Sequence, residues 1–336
     1  MKKSLLAMAV LGTFAGMASA QTNVTVYGIV DAGYVREFGD GPERSKLTSG
    51  IKNGSRLGFK GTEDLGGGLS ANFLLENGFQ VDDGTLGQSQ TITLPTTTRL
   101  FGRQAYVGLS SKTLGAINLG RQYAPIFTSQ DSVDPFGTGL AGALTNIMAS
   151  VVRVDNSVKY TTPLMGGLSA DLLYGFGEVA GNSSESRTLG GSLNFSNGPI
   201  AATLAHTNVD VPTAGEKTKL TLLGGTFDFG MAKAHAAFQR EKGTAIDARD
   251  YMIGVSAPIG AGTILASYIR KDDRTALEQD ADQIAVGYVH NLSKRTNVYT
   301  SFARISNDND AGYTVGSAIE SGATTKAFNI GVQHKF

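Results

Sequence analysis

Basic side chains alternate with apolar ones in the segment from Ser55 to Lys60. Arg56 and Lys60 stand four residues apart, and Leu57 and Phe59 lie between them. Successive side chains of a β-strand point to opposite faces, so the two cations would share one face and the apolar residues the other. A row of cations facing water orients polar solutes and favours anions. The segment therefore predicts a charged wall in contact with water.

The same rule assigns a face to other charged residues. Arg99 and Arg103 fall opposite an apolar row at positions 100, 102 and 106, and Lys159 lies between two apolar residues. Glu76 falls on the polar face of its own segment, together with residues 70 and 72. We interpret these as further members of the charged wall. Lysines beside long connections, such as Lys46 and Lys271, are interpreted as solvated loop bases.

Nothing in the chain indicates an enzyme. Cysteine is absent, which excludes disulfides, thiolate metal sites and a cysteine nucleophile. The four histidines lack metal-ligand spacing, and no Gly-x-Ser-x-Gly motif occurs. Residues 137–142 spell a dinucleotide fingerprint, but no buried parallel strand precedes them and strands do not alternate with helices. We predict no catalytic residues, no metal and no cofactor.

The two ends of the chain carry signals for export and membrane insertion. From Thr325 to Phe336, apolar residues alternate with small or polar ones and the last residue is aromatic, which is typical of the closing strand of a transmembrane β-barrel. Residues 1–20 combine a basic start, a short apolar core and the small residues of a secretory cleavage site, so they are predicted to be a signal peptide that is removed after Ala20. That core is shorter than the ~20 residues of a spanning helix. A membrane chain without such helices can satisfy its backbone hydrogen-bonding groups only in a closed barrel. Residues 21–336 are therefore predicted to form a barrel domain in the cell outer membrane.

Sixteen segments are predicted as strands. They begin near Thr22, Ile51, Leu69, Thr98, Ala116, Asp155, Leu168, Arg187, Ile200, Lys219, Ala232, Asp250, Thr263, Asp282, Thr296 and Thr325. An even count, with tight turns alternating with long connections, predicts an all-β fold: a 16-stranded antiparallel transmembrane β-barrel with short periplasmic turns and long external loops. The assignment of faces between Thr221 and Phe229 is ambiguous, because the register there could slip by one residue.

One connection is far longer than the others. It runs from Gln122 to Val154, well beyond the ~12 to 15 residues at which a loop usually has a function. Its second half, residues 140–152, is too apolar for a loop surrounded by water. We predict that it folds into the barrel and packs on the inner wall. Asp131 and Asp134 would then face the cations of the wall, and Arg153 would lie where the loop ends.

Several segments closely resemble the trimeric Gram-negative porins, in their betaproteobacterial branch. These segments are 26–33, 55–69, 100–109, 119–122, 155–160 and 292–296. The resemblance extends from the mature start to Phe336. It implies a homotrimer, a third external loop folded inward, and passive diffusion of small hydrophilic solutes and ions through a water-filled channel, often with a preference for anions. It also implies contact with outer-membrane lipid and lipopolysaccharide, and recognition of Phe336 by the barrel-assembly machinery.

The resemblance gives the charged residues a place in such a channel. The positions that resemble the basic side of the constriction are Arg56, Lys60, Arg99, Arg103, Arg153 and Lys159. Glu76 resembles the carboxylate beside that cluster, and Asp131 and Asp134 would supply the opposite wall. Cations on the barrel and carboxylates on the loop would create a transverse field. Since 29 basic residues balance 29 acidic ones over the whole chain, no nucleic acid partner is expected.

Two polar residues are predicted to face outward. Arg121 shares its parity with Ile117 and Leu119, and Gln104 falls on the apolar side of its own segment. An arginine facing lipid costs ~2 to 4 kcal/mol at mid-depth and less near the interface. We therefore expect both residues to lie at a contact between subunits.

Three other functions remain open at this stage. A solute-specific channel would need a track of aromatic residues or a ligand pocket, and the chain has 11 Tyr and no Trp. A barrel enzyme would need a Ser/His/Asp group at its rim and a barrel too narrow to conduct. An adhesin or receptor would depend on its external loops, and such a role could be added to that of a channel.

Overall fold

One continuous antiparallel sheet contains seventeen strands in the part of the chain that the structure describes. The computed structural model covers residues 23–88, 99–211, 216–316 and 321–336, so the predicted signal peptide and the strand starts expected at Thr22 and Thr98 lie outside it. The strands are β1 Asn23–Gly39, β2 Arg44–Ser49, β3 Arg56–Gly66, β4 Leu69–Gly78, β5 Gln104–Ser111, β6 Gly115–Tyr123, β7 Arg153–Thr161, β8 Leu168–Gly175, β9 Thr188–Asn197, β10 Ile200–Val211, β11 Glu216–Asp228, β12 Lys233–Lys242, β13 Asp247–Ile259, β14 Gly262–Asp273, β15 Ala281–Asn291, β16 Thr296–Asn307 and β17 Thr325–Lys335. Helix α1, Pro125–Val133, and a 3₁₀ turn, Leu144–Asn146, lie between β6 and β7. Within the described ranges, no helix is both long and apolar enough to cross a membrane.

The sheet closes on itself through β1. Residues 23–29 of β1 pair with β3, and residues 29–39 pair with β17. Gly28 and Phe336 exchange two backbone hydrogen bonds of 3.1 Å, and a Cβ at Gly28 would lie 2.3 Å from the Phe336 ring. The aromatic end of the chain therefore packs onto the first strand, at a position where a side chain would collide with it.

Sixteen of the strands form the wall, which confirms the predicted fold class. The seventeenth, β2, is a short strand in the first long connection and pairs with residues 32–37 of β1. Five wall strands begin at the predicted residue, namely those at Leu69, Leu168, Ile200, Thr296 and Thr325. Turns at 67–68, 198–199 and 260–261 are tight at one end of the barrel, whereas the long connections lie at the other end, as expected of periplasmic and external sides.

The second wall strand begins later than predicted, at Arg56 and not at Ile51. The reason is the buried carboxylate of Asp31 on β1, which accepts hydrogen bonds from the amides of Ile51 (3.0 Å) and Asn53 (3.1 Å). Because these amides are committed to a side chain, they are not free to pair in the sheet. This segment is therefore a turn held against the wall.

The ambiguous region between Thr221 and Phe229 has a defined register in β11. Leu223 faces outward and is 57% exposed, while its neighbour Leu222 is fully buried inside the barrel. Gly224 follows Leu222 on the inner side of the sheet and meets Val133 of α1. Both faces of β11 are apolar here, because one meets lipid and the other meets the loop inside the barrel. Alternation of polar and apolar residues is lost for that reason.

Candidate functional site

The connection between β6 and β7, residues 124–152, lies inside the barrel, and we call it the inward loop. Its helix α1 packs against the inner faces of β8 to β12. Further on, the amide of Leu140 donates to the carbonyl of Ile51 (2.6 Å), and the amide of Ala141 donates to Oγ of Ser301 on β16 (3.0 Å). The loop thus follows about half of the circumference. Its predicted position in the lumen is confirmed.

Glycines on the inner wall give the inward loop room to approach the sheet. A Cβ added at any of four such glycines would lie only 2.8 to 3.3 Å from a loop side chain. The pairs are Gly190 with Pro125, Gly224 with Val133, Gly254 with Pro135 and Gly287 with Phe136. These glycines stand on every second strand, β9, β11, β13 and β15. Larger residues at these positions would force the loop towards the open channel.

On the other side of the lumen, three wall side chains converge on the carboxylate of Glu76, which is 3% exposed. Nε of Arg103 donates to Oε1 over 2.7 Å, and the hydroxyl of Tyr27 donates to Oε2 over 2.7 Å. Nη1 of Arg56 lies 3.9 Å from the same Oε1. Two cations 4 Å apart repel each other by up to ~4 kcal/mol at an effective dielectric constant of 20, so the shared carboxylate is what allows Arg56 and Arg103 to stand together.

Tyr123, the last residue of β6, joins this cluster to the inward loop. Its hydroxyl accepts hydrogen bonds from Arg103 and from Nη2 of Arg153 (3.0 Å), and the Arg153 guanidinium lies 4.7 Å from the centre of the Tyr123 ring. The ring also stacks on Phe127 of α1 at 5.2 Å. Arg103 and Arg153, which the sequence places 50 residues apart, are therefore oriented by one phenol.

The two predicted lysines also reach the inner side of the wall. Nζ of Lys60 lies 5.3 Å from the centre of the Tyr27 ring, on the side chain that donates to Glu76. Nζ of Lys159 donates to the carbonyl of Tyr123 over 3.5 Å. Five of the predicted basic residues thus lie around Tyr27 and Tyr123, and we call these five the basic cluster. Its members are Arg56, Lys60, Arg103, Arg153 and Lys159.

The two carboxylates predicted on the inward loop behave differently from each other. Asp131 is exposed, and its Oδ1 accepts a hydrogen bond from Thr138 (2.8 Å). Asp134 is only 5% exposed, and its oxygens accept hydrogen bonds from the amides of Phe136 (2.9 Å) and Leu144 (2.9 Å). Burial raises the pKa of Asp134 to about 6, although its backbone donors lower it. The prediction that Asp134 lines the channel is wrong, because the carboxylate is used to fold the loop.

Arg99 and Arg121 bind the same carboxylate. Arg99 Nη2 lies 2.7 Å and Arg121 Nη1 lies 2.5 Å from the oxygens of Asp155, and Arg121 Nε donates to the carbonyl of Gly102. Arg99 thus pairs with Asp155, the partner of Arg121, and this differs from its predicted place in the constriction. Arg121 pairs with Ala105 of β5, and Ala105 lies on the same face of that strand as the outward residue Val107. The register therefore agrees with the predicted outward orientation of Arg121.

Gln104 does not face outward as predicted. It stands directly opposite Glu76 in the pairing of β4 with β5, and opposed residues share one face of a sheet. Its face was inferred from Leu100, Gly102 and Tyr106, but residues 99–103 precede β5, and Tyr106 stands opposite Leu74, which shares the inner face with Glu76. The outward residues of β5 are Val107 and Leu109, which are 57% and 45% exposed.

Comparison of the whole chain with protein families decides what this architecture is. The family model of the Gram-negative porins matches residues 7–310. The chain is a Gram-negative porin. As a porin it forms a water-filled channel in the outer membrane and is not an enzyme, so its functional residues are those that line or shape the channel.

Two curated porins match this one over the full length of both chains. Outer membrane porin protein 32 of Delftia acidovorans is 34% identical, and an outer membrane porin protein of Bordetella pertussis is 30% identical. The solved structure of an anion-selective porin from Comamonas acidovorans superposes with a TM-score of 0.78 at 30% identity, and the match covers 94% of this porin and 100% of that chain.

The structure also contains functional side chains that sequence reasoning missed in this porin. Tyr123 accepts hydrogen bonds from Arg103 and Arg153, and Tyr27 donates to the carboxylate of Glu76. Inward parity alone could have identified Tyr27, because it shares a face with Asp31. Lys271 was interpreted as a solvated loop base but is 1% exposed. Its Nζ lies 3.0 Å from Glu241 and 2.8 Å from Asp250, on the two preceding strands. No local pattern could have assigned these partners.

Proposed function

We propose that this porin is an anion-preferring channel for passive diffusion of small hydrophilic solutes and ions. The observation that carries the proposal is the composition of the basic cluster: Arg56 and Arg103 share the carboxylate of Glu76, whereas Lys60, Arg153 and Lys159 contact Tyr27 or Tyr123, so positive charge exceeds negative charge in this cluster. Asp131 supplies negative charge on the inward loop, and the field between them orients water and polar solutes. The likeness to an anion-selective porin of known structure supports the same assignment.

Single-channel recording in a planar bilayer tests this function. We expect large, ohmic conductance steps and a zero-current potential, under a KCl gradient, whose sign shows that chloride is the more permeant ion. A channel that opens only for one solute, or that prefers potassium, would contradict the proposal.

We further propose that three copies assemble and that the outer surface near Arg121 lies at the contact between them. The support is the outward position of the Arg121–Asp155 pair, in which Asp155 is 38% exposed within one subunit. Arg121→Leu should lower the temperature at which the trimer dissociates on a gel and leave ion selectivity unchanged. An unchanged dissociation temperature with altered selectivity would show that Arg121 faces the channel.

Export and assembly are part of the proposal as well. Cleavage after Ala20 would produce a mature chain that starts at Gln21, which N-terminal sequencing can verify. The barrel-assembly machinery would recognise the end of the chain, where Phe336 packs on Gly28. Deletion of Phe336 should reduce the yield in the outer membrane sharply, and a normal yield would refute this role. The apolar outer face would contact membrane lipid and lipopolysaccharide.

A further inference from the structure

A cavity of about 350 Å³ lies inside the barrel, between α1 and the inner faces of β8 to β11. Small-molecule sites in proteins typically enclose about 300 to 1,000 Å³, so the cavity is large enough for a small solute. None of the described residues that line it belongs to the basic cluster. We call it the niche, and its polar wall residues are Ser169, Asp171, Asn194, Ser196, Thr203 and Thr226.

The register of the sheet brings these polar side chains together on the inner face. Asn194 of β9 stands opposite Ser169 of β8 and Thr203 of β10, and opposed residues share one face of a sheet. The hydroxyl of Thr203 donates to Oδ1 of Asn194 (2.8 Å) and to Oγ of Ser129 on α1 (2.8 Å). The wall and the helix therefore meet through hydroxyl and amide groups at the edge of the niche.

Asp171 on β8 is the only charged side chain among the described residues that line the niche. Its Oδ1 accepts a hydrogen bond from the hydroxyl of Thr161 (2.6 Å), and its Oδ2 accepts one from the hydroxyl of Ser192 (3.2 Å). These two contacts fix the carboxylate in place. Each carboxylate oxygen has a second lone pair, so a solute in the niche can donate to Asp171.

Lys159 of the basic cluster offsets part of the charge of Asp171. Thr161 stands opposite Asp171, and Lys159 lies two residues before Thr161 in the same inward row of β7. Such diagonal neighbours are about 7 to 8 Å apart, which is within reach of a long side chain. Because the carboxylate stands beside a cation, the niche favours neither free anions nor free cations. A neutral solute meets no such opposition.

We infer that the niche binds a neutral polyhydroxy solute, such as a monosaccharide. Hydroxyl groups both donate and accept, so one sugar can donate to Asp171 and exchange hydrogen bonds with Asn194 and the lining hydroxyls. Its CH groups would pack on Val133 and Leu164, which also line the niche. An ammonium compound only donates and suits these groups less well. The inference rests on the proposed passage of small hydrophilic solutes, and it does not depend on the preference for anions.

Analysis of current fluctuations in a planar bilayer tests the niche, with glucose as the probe. In the wild type, glucose should add a noise component that saturates as its concentration rises. Asp171→Asn keeps an oxygen for Thr161 but loses the charge, so the half-saturating concentration should rise about tenfold. Asp64→Asn makes the same change in the tight turn between β3 and β4 and should leave that concentration unchanged. Equal values for the wild type and Asp171→Asn would overturn the inference.

Three further arms separate the niche from the channel and a sugar from a cation. Large conductance steps without saturable glucose noise in the wild type would overturn the niche and leave the channel function intact. Ethanolamine in its ammonium form should not displace glucose at equal concentration; displacement would mean a cation site and would refute the assignment to polyhydroxy solutes. If Asp171→Asn does not fold, Ser169→Ala, which removes one lining hydroxyl, should raise the half-saturating concentration about threefold, and an unchanged value would count against the niche.

Discussion

Nε of Arg103 lies 2.7 Å from Oε1 of Glu76, and solvent reaches very little of either side chain. Arg103 is also bound to Tyr123, so the cation is held from two sides. A charge fixed in this way acts on every ion that passes, because it cannot move aside into the solvent. We therefore expect selectivity in this porin to depend on the groups that hold the arginines as well as on the arginines themselves.

Glu76→Gln should increase the preference for anions. The amide removes one negative charge but can still accept a hydrogen bond from Tyr27. Because a buried ion pair loses one partner, stability should fall by about 3 to 5 kcal/mol. The zero-current potential in a KCl gradient measures the first effect and the unfolding temperature the second. Glu63→Gln, an exposed carboxylate of the neighbouring strand, is the control and should change neither; a shift towards cations in Glu76→Gln would be inconsistent with the account.

Tyr123→Phe should loosen the arginines without disturbing the fold. The variant keeps the stack on Phe127 but loses the hydroxyl to which Arg103 and Arg153 donate. We expect greater noise in the open-channel current and a smaller anion preference, while the mean conductance changes little. Tyr123→Leu also removes the stack and should in addition destabilise α1. Identical current noise in the wild type and Tyr123→Phe would show that the hydroxyl does not orient the arginines.

The inward loop should be more stable at pH 4 than at pH 7. Burial raises the pKa of Asp134 from its ordinary value of 3.8 to about 6, so the folded loop binds this proton more tightly than the unfolded chain does. The stabilisation is complete below about pH 4 and is lost as the pH rises to 6, by about 3 kcal/mol in total. Hydrogen-exchange protection of the Leu144 amide, corrected for intrinsic exchange, should decrease accordingly. Asp134→Asn should remove this dependence on pH, and an equal pH effect in both proteins would assign it to another group.

Strand positions and most faces could be predicted because the wall repeats one physical rule. Arg56 and Lys60 are flanked by residues that must meet lipid, so their inward orientation follows from their neighbours on the same strand. The same rule failed for Gln104, because residues 99–103 are not part of its strand and because Tyr106, which was assigned to the outer face, lies on the inner face. It was ambiguous in β11, where the inward loop makes both faces apolar.

Contacts between distant segments could not be predicted in this way. Asp131 and Asp134 look equivalent in the sequence, since a loop has no periodicity that assigns its side chains to a face. Only the folded loop shows that the Asp134 carboxylate accepts hydrogen bonds from the amides of Phe136 and Leu144. Lys271 obtains both of its carboxylate partners from other strands, which a local pattern cannot reveal.

Removing two guanidinium groups should reduce the anion preference. Arg56→Gln/Arg103→Gln removes the two cations that lie nearest to Glu76 and leaves Lys60, Arg153 and Lys159, so the excess of positive charge in the basic cluster becomes smaller. The zero-current potential should shift towards cation selectivity, and more strongly at low ionic strength. Lys294→Gln/Arg295→Gln changes the total charge equally but far from the constriction. An equal shift in both double variants would assign selectivity to the overall charge of the porin.

The most direct test of the basic cluster is the zero-current potential of the wild-type porin, recorded across a fixed KCl ratio at about 0.1 M and again at about 1 M mean concentration. The screening length falls from ~10 Å to ~3 Å between these conditions, so charges on the wall reach the centre of the opening only in the first. We expect a clear preference for chloride at low salt that nearly disappears at high salt. A preference for potassium, or a selectivity that does not respond to salt, would contradict it.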